Sequence, residues 1–354
     1  MPRLSALGAL PLAGALAAAA LLPAAASAAP SSTAAHAPAA CASAPALIHS
    51  DTPQLQPENT VWDPTRQRVL VGSIRQGTVS VVNPDHTTTP LVTDPRLIGT
   101  GGVRVDPARG RLLATFDDTF DGPGALLSER STPQTVGHYA GLGIFDLRTG
   151  KTIKLVNLAF QPGLHLANDL AIDPAGNAYV TDSFNGTVYK IDPEGHASIF
   201  LHAPALTAPV VNGAPSVGPN GIVYQDGYLI VVRYDNGELF KIPLRAPHSF
   251  TKVALNQPVV GADGMALRPN GDLIAVTNTI KSTGIEGVIV VRSNDNWRTA
   301  HRIDTTPWPD HAPTMVAMTP CDDYVLSSGL DVLFHSGGKS TVNGFNLRRF
   351  DFKG

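Results

Sequence analysis

Four residues with oxygen-donating side chains, Glu58, Asn168, Asn220 and Asp263, each stand at the mouth of a short apolar run, and such runs repeat along the chain. Two carboxylates and two amide carbonyls are hard donors, a set that suits Ca²⁺ with water or substrate completing the shell. No Cys or His joins them, which argues against zinc. Asn220 and Asp263 are each followed by Gly, and such pairs are also hairpin-turn signals. Their units already turn elsewhere, at Asp226 and Gly227 and at Pro269 to Gly271, so the mouth residues have no hairpin to make. A cation on these oxygens would polarise an ester or lactone carbonyl while a nearby carboxylate or imidazole takes a proton from water. Asp263 is the candidate catalytic group as well as a ligand, although a bound cation lowers its pKa and weakens it as a base. His165, just before Asn168, is the second candidate, with a solvated loop histidine as the alternative. Asp169 either orients Asn168 or caps the start of a strand.

The elements that must position this set are strands. No segment sustains a helical period, and apolar runs rich in Val, Ile, Leu and Tyr recur between clusters of Gly, Pro, Asn and Asp. Aligned, they form six units opening at 58, 102, 168, 220, 263 and 314, about 51 residues apart, the length of a four-stranded propeller blade. The third is the most regular: Leu170 to Ile172, a turn at Asp173 to Gly176, a return at Ala178 to Thr181, then Gly186 to Ile191. The expected fold class is all-β, a six-bladed β-propeller with four-stranded antiparallel blades. Its inner strands line a channel on which the mouth residues converge. Such a ring must close, and Ala46 to His49 is predicted to add the outer strand of the last blade.

The flanking sequence sets the context. Arg3, the apolar run Leu4 to Leu22 and the small residues Ala26, Ser27 and Ala28 read as a signal peptide over 1–28, so the chain is expected to be secreted. Pro11 and Pro23 break the run, which disfavours a membrane anchor. Residues 29–45 are an Ala/Ser/Pro-rich flexible leader without periodicity, and 46–354 form the propeller domain. With Lys+Arg 26 against Asp+Glu 29 and no long basic run, nothing draws the chain to nucleic acid or, once the signal is cleaved, to membrane. The expected partner is a small molecule. In an oxidising compartment the two cysteines, Cys41 and Cys321, are expected to form a disulfide that ties the chain's ends together in the closing blade.

Two loops are expected to overhang the channel. Phe116 to Ala140 is a long insertion carrying Asp117, Asp118, Asp121, Glu129 and His138, and His202 to Val217 is apolar and Pro-rich. The charges of the first are read as solvated surface, with Asp118 the one that would reach the site.

Glu58 with Trp62 four positions on, Asn168 with Asp169, Pro219 to Ile222, and Asp263 to Met265 together resemble the blade motifs of the senescence-marker-protein, gluconolactonase and luciferin-regenerating-enzyme family, with paraoxonases as distant relatives. The resemblance covers essentially the whole folded region. It implies a divalent metal, usually Ca²⁺, held by Glu58, Asn168, Asn220 and Asp263, hydrolysis of a lactone or related ester, and a proton-transfer role for Asp263. In the paraoxonases it extends to a disulfide between the chain's ends. The chain departs from the family at Leu166, where sugar-lactone members carry a basic residue, and at Thr100, Gly101 and Gly102, where a paraoxonase-like histidine would stand. A less polar lactone or ester is therefore the expected substrate. The alternative is a non-catalytic ligand-binding propeller holding a structural calcium ion.

Overall fold

The computed structural model describes residues 44–352 except position 212. The signal segment, most of the leader and Cys41 therefore lie outside the described residues. Six antiparallel sheets follow one another along the chain, and each has its first strand innermost. Blade 1 is Thr60–Asp63, Arg68–Gly72, Val79–Val82 and Thr88–Val92; blade 2 is Gly99–Asp106, Arg111–Asp117, Ala140–Asp146 and Thr152–Asn157. Blade 3 is Ala167–Ile172, Ala178–Asp182, Thr187–Ile191 and Ala197–His202; blade 4 is Pro219–Gln225, Tyr228–Arg233, Leu239–Pro243 and Thr251–Lys252. Blade 5 is Ala262–Leu267, Leu273–Thr277, Gly287–Arg292 and Thr299–Pro307, to which Ala254–Leu255 adds a short parallel strand. Blade 6 is Pro313–Met318, Asp323–Ser327 and Asn343–Phe350, closed by Leu47–Pro53 from the start of the folded chain. The six-bladed propeller and its closing strand are thus as the sequence predicts.

Local chemistry explains the hairpins. In blade 4 Gln225 pairs with Tyr228, so Asp226 and Gly227 alone make the turn, both at positive φ (44° and 87°), the conformation that suits the twist of a two-residue hairpin. Between blades, apolar side chains from facing sheets bury one another: Leu113, Leu142 and Tyr189 at the junction of blades 2 and 3, and Val232, Leu239 and Ile289 at that of blades 4 and 5. Each such side chain stabilises the ring by roughly 1.5–3 kcal/mol.

The inner strands share one irregularity. In blades 2 to 6 the pairing register slips between Thr100 and Val103, Ala167 and Leu170, Pro219 and Ile222, Ala262 and Met265, and Pro313 and Met315. Asn168, Asn220 and Asp263 therefore sit in β-bulges, which free them from their own ladder and re-aim them. Their neighbours supply the missing hydrogen bonds. Thr115 Oγ1 of blade 2 donates to the Asn168 carbonyl at 2.7 Å, and Thr181 Oγ1 of blade 3 donates to the Asn220 carbonyl at 2.8 Å. The following glycine lets the next strand close in: a Cβ on Gly221 would lie 2.3 Å from the Asp263 carbonyl oxygen, and one on Gly264 would lie 2.2 Å from Met315 Sδ.

Two features were not anticipated. A helix, Leu330–His335, fills the loop between the second and third strands of blade 6, and a small hairpin, Val210–Val211 with Ala214–Pro215, projects from the blade 3 to blade 4 connection. Cys321 lies in the inner turn of blade 6; with Cys41 outside the described residues, its expected disulfide stays an expectation. Among the described residues no helix is long and apolar enough to cross a membrane.

The bulge glycines give the first test. Gly221→Ala should lower unfolding stability by about 1–3 kcal/mol through overpacking against a neighbouring backbone, read as a shift in urea midpoint with unchanged slope.

Candidate functional site

The four mouth residues come together. Glu58, Asn168, Asn220 and Asp263 all line one cavity of about 440 Å³ on one face of the ring. Asn168, Asn220 and Asp263 are buried, and Glu58 is partly exposed. Above them the walls are mostly apolar, with Ile74, Phe120, Leu166, Phe184, Val217 and Phe334 among the lining residues. Both loops expected to overhang the channel contribute, the first through Phe120 and Asp121, the second through Val211 and Pro215.

The floor is short of positive partners. Glu58 Oε2 and Asn220 Oδ1 are buried with no hydrogen-bond partner, a deficit of roughly 1–3 kcal/mol for each such group. Asn168 gives its amide nitrogen to Ser183 Oγ at 3.1 Å, which leaves its carbonyl for the cavity. Burial raises the Asp263 pKa to about 7, against the opposing amides of Asn278 and Asn220. Burial, then the charges of Asp263, Asp169 and Asp117, also hold Glu58 well above the ordinary carboxyl range. Two carboxylates and two amide carbonyls turned into one cavity with unanswered oxygens fit a hard cation. Among the described residues no three His, Cys, Asp or Glu side chains converge as a metal cluster, so amide oxygens would have to complete any such site.

A relay missed by the sequence reading orients Asp263. Lys281 N donates to Tyr234 Oη at 3.0 Å, Tyr234 donates to Asn278 Oδ1 at 2.6 Å, and Asn278 Nδ2 donates to Asp263 Oδ2 at 2.7 Å. Asn278 also donates to the Pro313 carbonyl at 3.0 Å, bridging blades 5 and 6. The available signal was positional, since small polar residues follow the second strands of other blades too, as Ser183 and Ser328 do. Beneath the floor Arg104 pairs with Asp169 at 2.9 Å and donates to Asn59 Oδ1 at 3.1 Å. Asp169, inside the bulge of its strand, also accepts from Leu170 N at 2.9 Å, so it satisfies a freed N–H and neutralises Arg104.

Three expectations are corrected. His165 is neither solvated nor a lining residue of the cavity. It is buried, with Nδ1 2.7 Å from Asp182 Oδ2 and Nε2 2.8 Å from the Gln161 carbonyl, so both ring nitrogens are occupied. Burial pulls its pKa down, but Asp182 outweighs that and the net shift is upward. Asp118 does not line the cavity; its carboxylate accepts from Ser131 Oγ and, at 2.6 Å, from Thr135 Oγ1. Asp117 and Asp121 line it instead, and Asp121 pairs with Lys281 at 2.5 Å, joining the insertions of blades 2 and 5 across the opening. Of the charges read as surface, only Glu129 and His138 are exposed.

No protein-family model matches the sequence, and no curated protein matches it. Solved structures do. The major allergen Mala s 1 of Malassezia sympodialis is 18% identical over 87% of this chain and 96% of its own, with a TM-score of 0.65. Regucalcin from Agrobacterium tumefaciens, described as a calcium-binding protein, is 15% identical over 85% of this chain and 92% of its own, at TM-score 0.56. A gluconolactonase from Xanthomonas campestris is 16% identical over 86% of this chain and 89% of its own, at TM-score 0.55.

The buried groups fix the sign of a pH effect. Folding raises Asp117 and Asp263 from 3.8 to about 7, so stability present below pH 4 is lost as pH rises through 7. His165, raised above 6.5, likewise stabilises below that value and ceases to above its folded pKa. In chelator the unfolding free energy should therefore fall from pH 5 to about pH 7, by up to about 1.4 kcal/mol per pH unit per group, read as a falling melting temperature that Asp117→Asn should flatten. The allergen, regucalcin and the gluconolactonase share with this chain the propeller fold described above.

Proposed function

We propose that this chain is a secreted, divalent-cation-dependent hydrolase of a lactone or related ester, with calcium as the ion. The observation that carries this reading is the cavity floor, where Glu58 Oε2 and Asn220 Oδ1 lack protein partners beside Asn168 and Asp263. The likeness in fold to a gluconolactonase and a calcium-binding regucalcin supports it. Glu58, Asn168, Asn220 and Asp263 would hold the ion, which when bound supplies Lewis-acid polarisation of the substrate carbonyl.

The chain's own residues do the rest. Phe120, Phe184, Val217 and Phe334 line a largely apolar chamber that would exclude water and favour an apolar substituent over a sugar. Asn278 and Tyr234 keep Asp263 turned to the floor. Asp263 enters this reading as a ligand: one oxygen accepts from Asn278, and a bound cation would lower its pKa and weaken it as a base. A non-catalytic propeller with the same ion is the second reading, favoured by the description of regucalcin as a calcium-binding protein.

Hydrolysis of aliphatic, aryl and sugar lactones with Ca²⁺ and after chelation separates the two. The hydrolase reading expects turnover of the less polar lactones, lost by about 100-fold or more on chelation and in a folded Asp263→Ala variant. Calcium binding without turnover of any ester would favour the binding protein.

A further inference from the structure

We propose that Asp117 is the proton-transfer group of this site. The assignment rests on the hydrolase reading above and supplies the base which that reading lacks.

Geometry carries it. Blade 2 gives the floor no polar mouth side chain, because Gly101 and Gly102 occupy its bulge and the Thr100 hydroxyl is spent on the Thr78 carbonyl at 2.8 Å. What the blade offers instead is Asp117, the last residue of its second strand, paired with Gly99 on one side and Ala140 on the other. That places a carboxylate on the cavity wall from a rigid strand between two ladders, with glycine rather than a bulky side chain beside it.

Its surroundings distinguish it from the chain's structural aspartates. Buried Asp63, Asp106, Asp169 and Asp272 each pair with an arginine, Arg68, Arg111, Arg104 and Arg292, while Asp118 and Asp173, buried without a cation partner among the described residues, are each held by two side-chain donors, Ser131 with Thr135 and Asn177 with Tyr179. Asp117 is only 2% exposed, yet among the described residues no Lys, Arg or His pairs with it, and its side-chain partner is the Thr119 hydroxyl, which donates to Oδ1. Nor does it form a three-carboxylate cage with Glu58 and Asp263, since the described residues contain no such metal cluster. An uncompensated carboxylate is expensive to bury and serves no packing purpose.

The electrostatics agree. Burial raises Asp117 above the ordinary carboxyl range, Thr119 opposes, and the negative charges of Asp118 and Asp182 push it further up. A base is most effective when its pKa lies near the working pH. In the step assigned here, Asp117 takes one proton from water as the water oxygen bonds to the carbonyl carbon and the carbonyl π pair moves to oxygen. When that pair returns, the ring C–O bond breaks and the proton passes from Asp117 to the leaving alkoxide. One lactone and one water give one hydroxy acid, with Asp117 regenerated.

The test compares wild type, Asp117→Asn, Asp117→Glu and Asp263→Ala on the best lactone of the panel, with kcat/KM followed from pH 5 to 9 and Ca²⁺ affinity measured by titration calorimetry. Asp117→Asn should lower kcat by about 100-fold or more and abolish the acid limb of the profile, with Ca²⁺ affinity within about threefold of wild type. Asp117→Glu should recover part of the rate, while Asp263→Ala should lose the Ca²⁺ heat. Asp117→Asn with near wild-type kcat, or with Ca²⁺ affinity lost as in Asp263→Ala, would overturn the assignment. A wild type that binds Ca²⁺ but turns over no lactone would overturn the hydrolase reading itself, and this assignment with it.

Discussion

Five of the six inner strands abandon their own ladder where they reach the channel, and the site exists because of that break. A bulged residue leaves backbone groups unpaired in a buried place, which a fold tolerates only when other groups satisfy them. Here the neighbouring blade does so, through Thr115 for Asn168, Thr181 for Asn220, Ser183 for Pro219 and Asn278 for Pro313. The same bonds that hold blade to blade therefore fix the backbone that aims Asn168 and Asn220. Stability of the ring and geometry of the floor are one problem with one solution.

Charge is distributed by the same logic. Away from the axis, aspartates at the ends of the inner hairpins are neutralised by arginine, as Asp63 is by Arg68 and Asp106 by Arg111. Midway down the channel Arg104 and Asp169 cancel each other. At the floor carboxylates are gathered without a matching cation, and there two buried oxygens have no partner at all. Buried aspartates elsewhere are paired with arginine or held by several hydroxyl and amide donors, as Asp118 and Asp173 are, which leaves this negative potential as a feature of the site.

Much of this was legible in the sequence, for physical reasons. Strand and turn chemistry repeats locally, so the units, the blade count and the closing role of the segment after Ala46 could be read from spacing. The mouth residues were legible because a polar side chain interrupts an apolar run at the same point in several units. The reason for the glycine beside Asn220 and Asp263 was not, since the atoms it makes room for belong to the next blade. His165 and Asp182, or Asn278 and Tyr234, meet only after folding, and nothing local separates a buried strand-end aspartate such as Asp117 from a solvated one. The helix at Leu330 is a six-residue insert held by contacts with Ile74 and Leu127, too short to show a period of its own.

The most direct measurement is an anomalous difference map from crystals of the wild-type protein soaked in calcium or terbium. The expected result is one strong peak at the cavity floor, with oxygens of Glu58, Asn168, Asn220 and Asp263 at about 2.3–2.6 Å. No peak there, or a peak held by other residues, would contradict the cation site on which the functional reading depends.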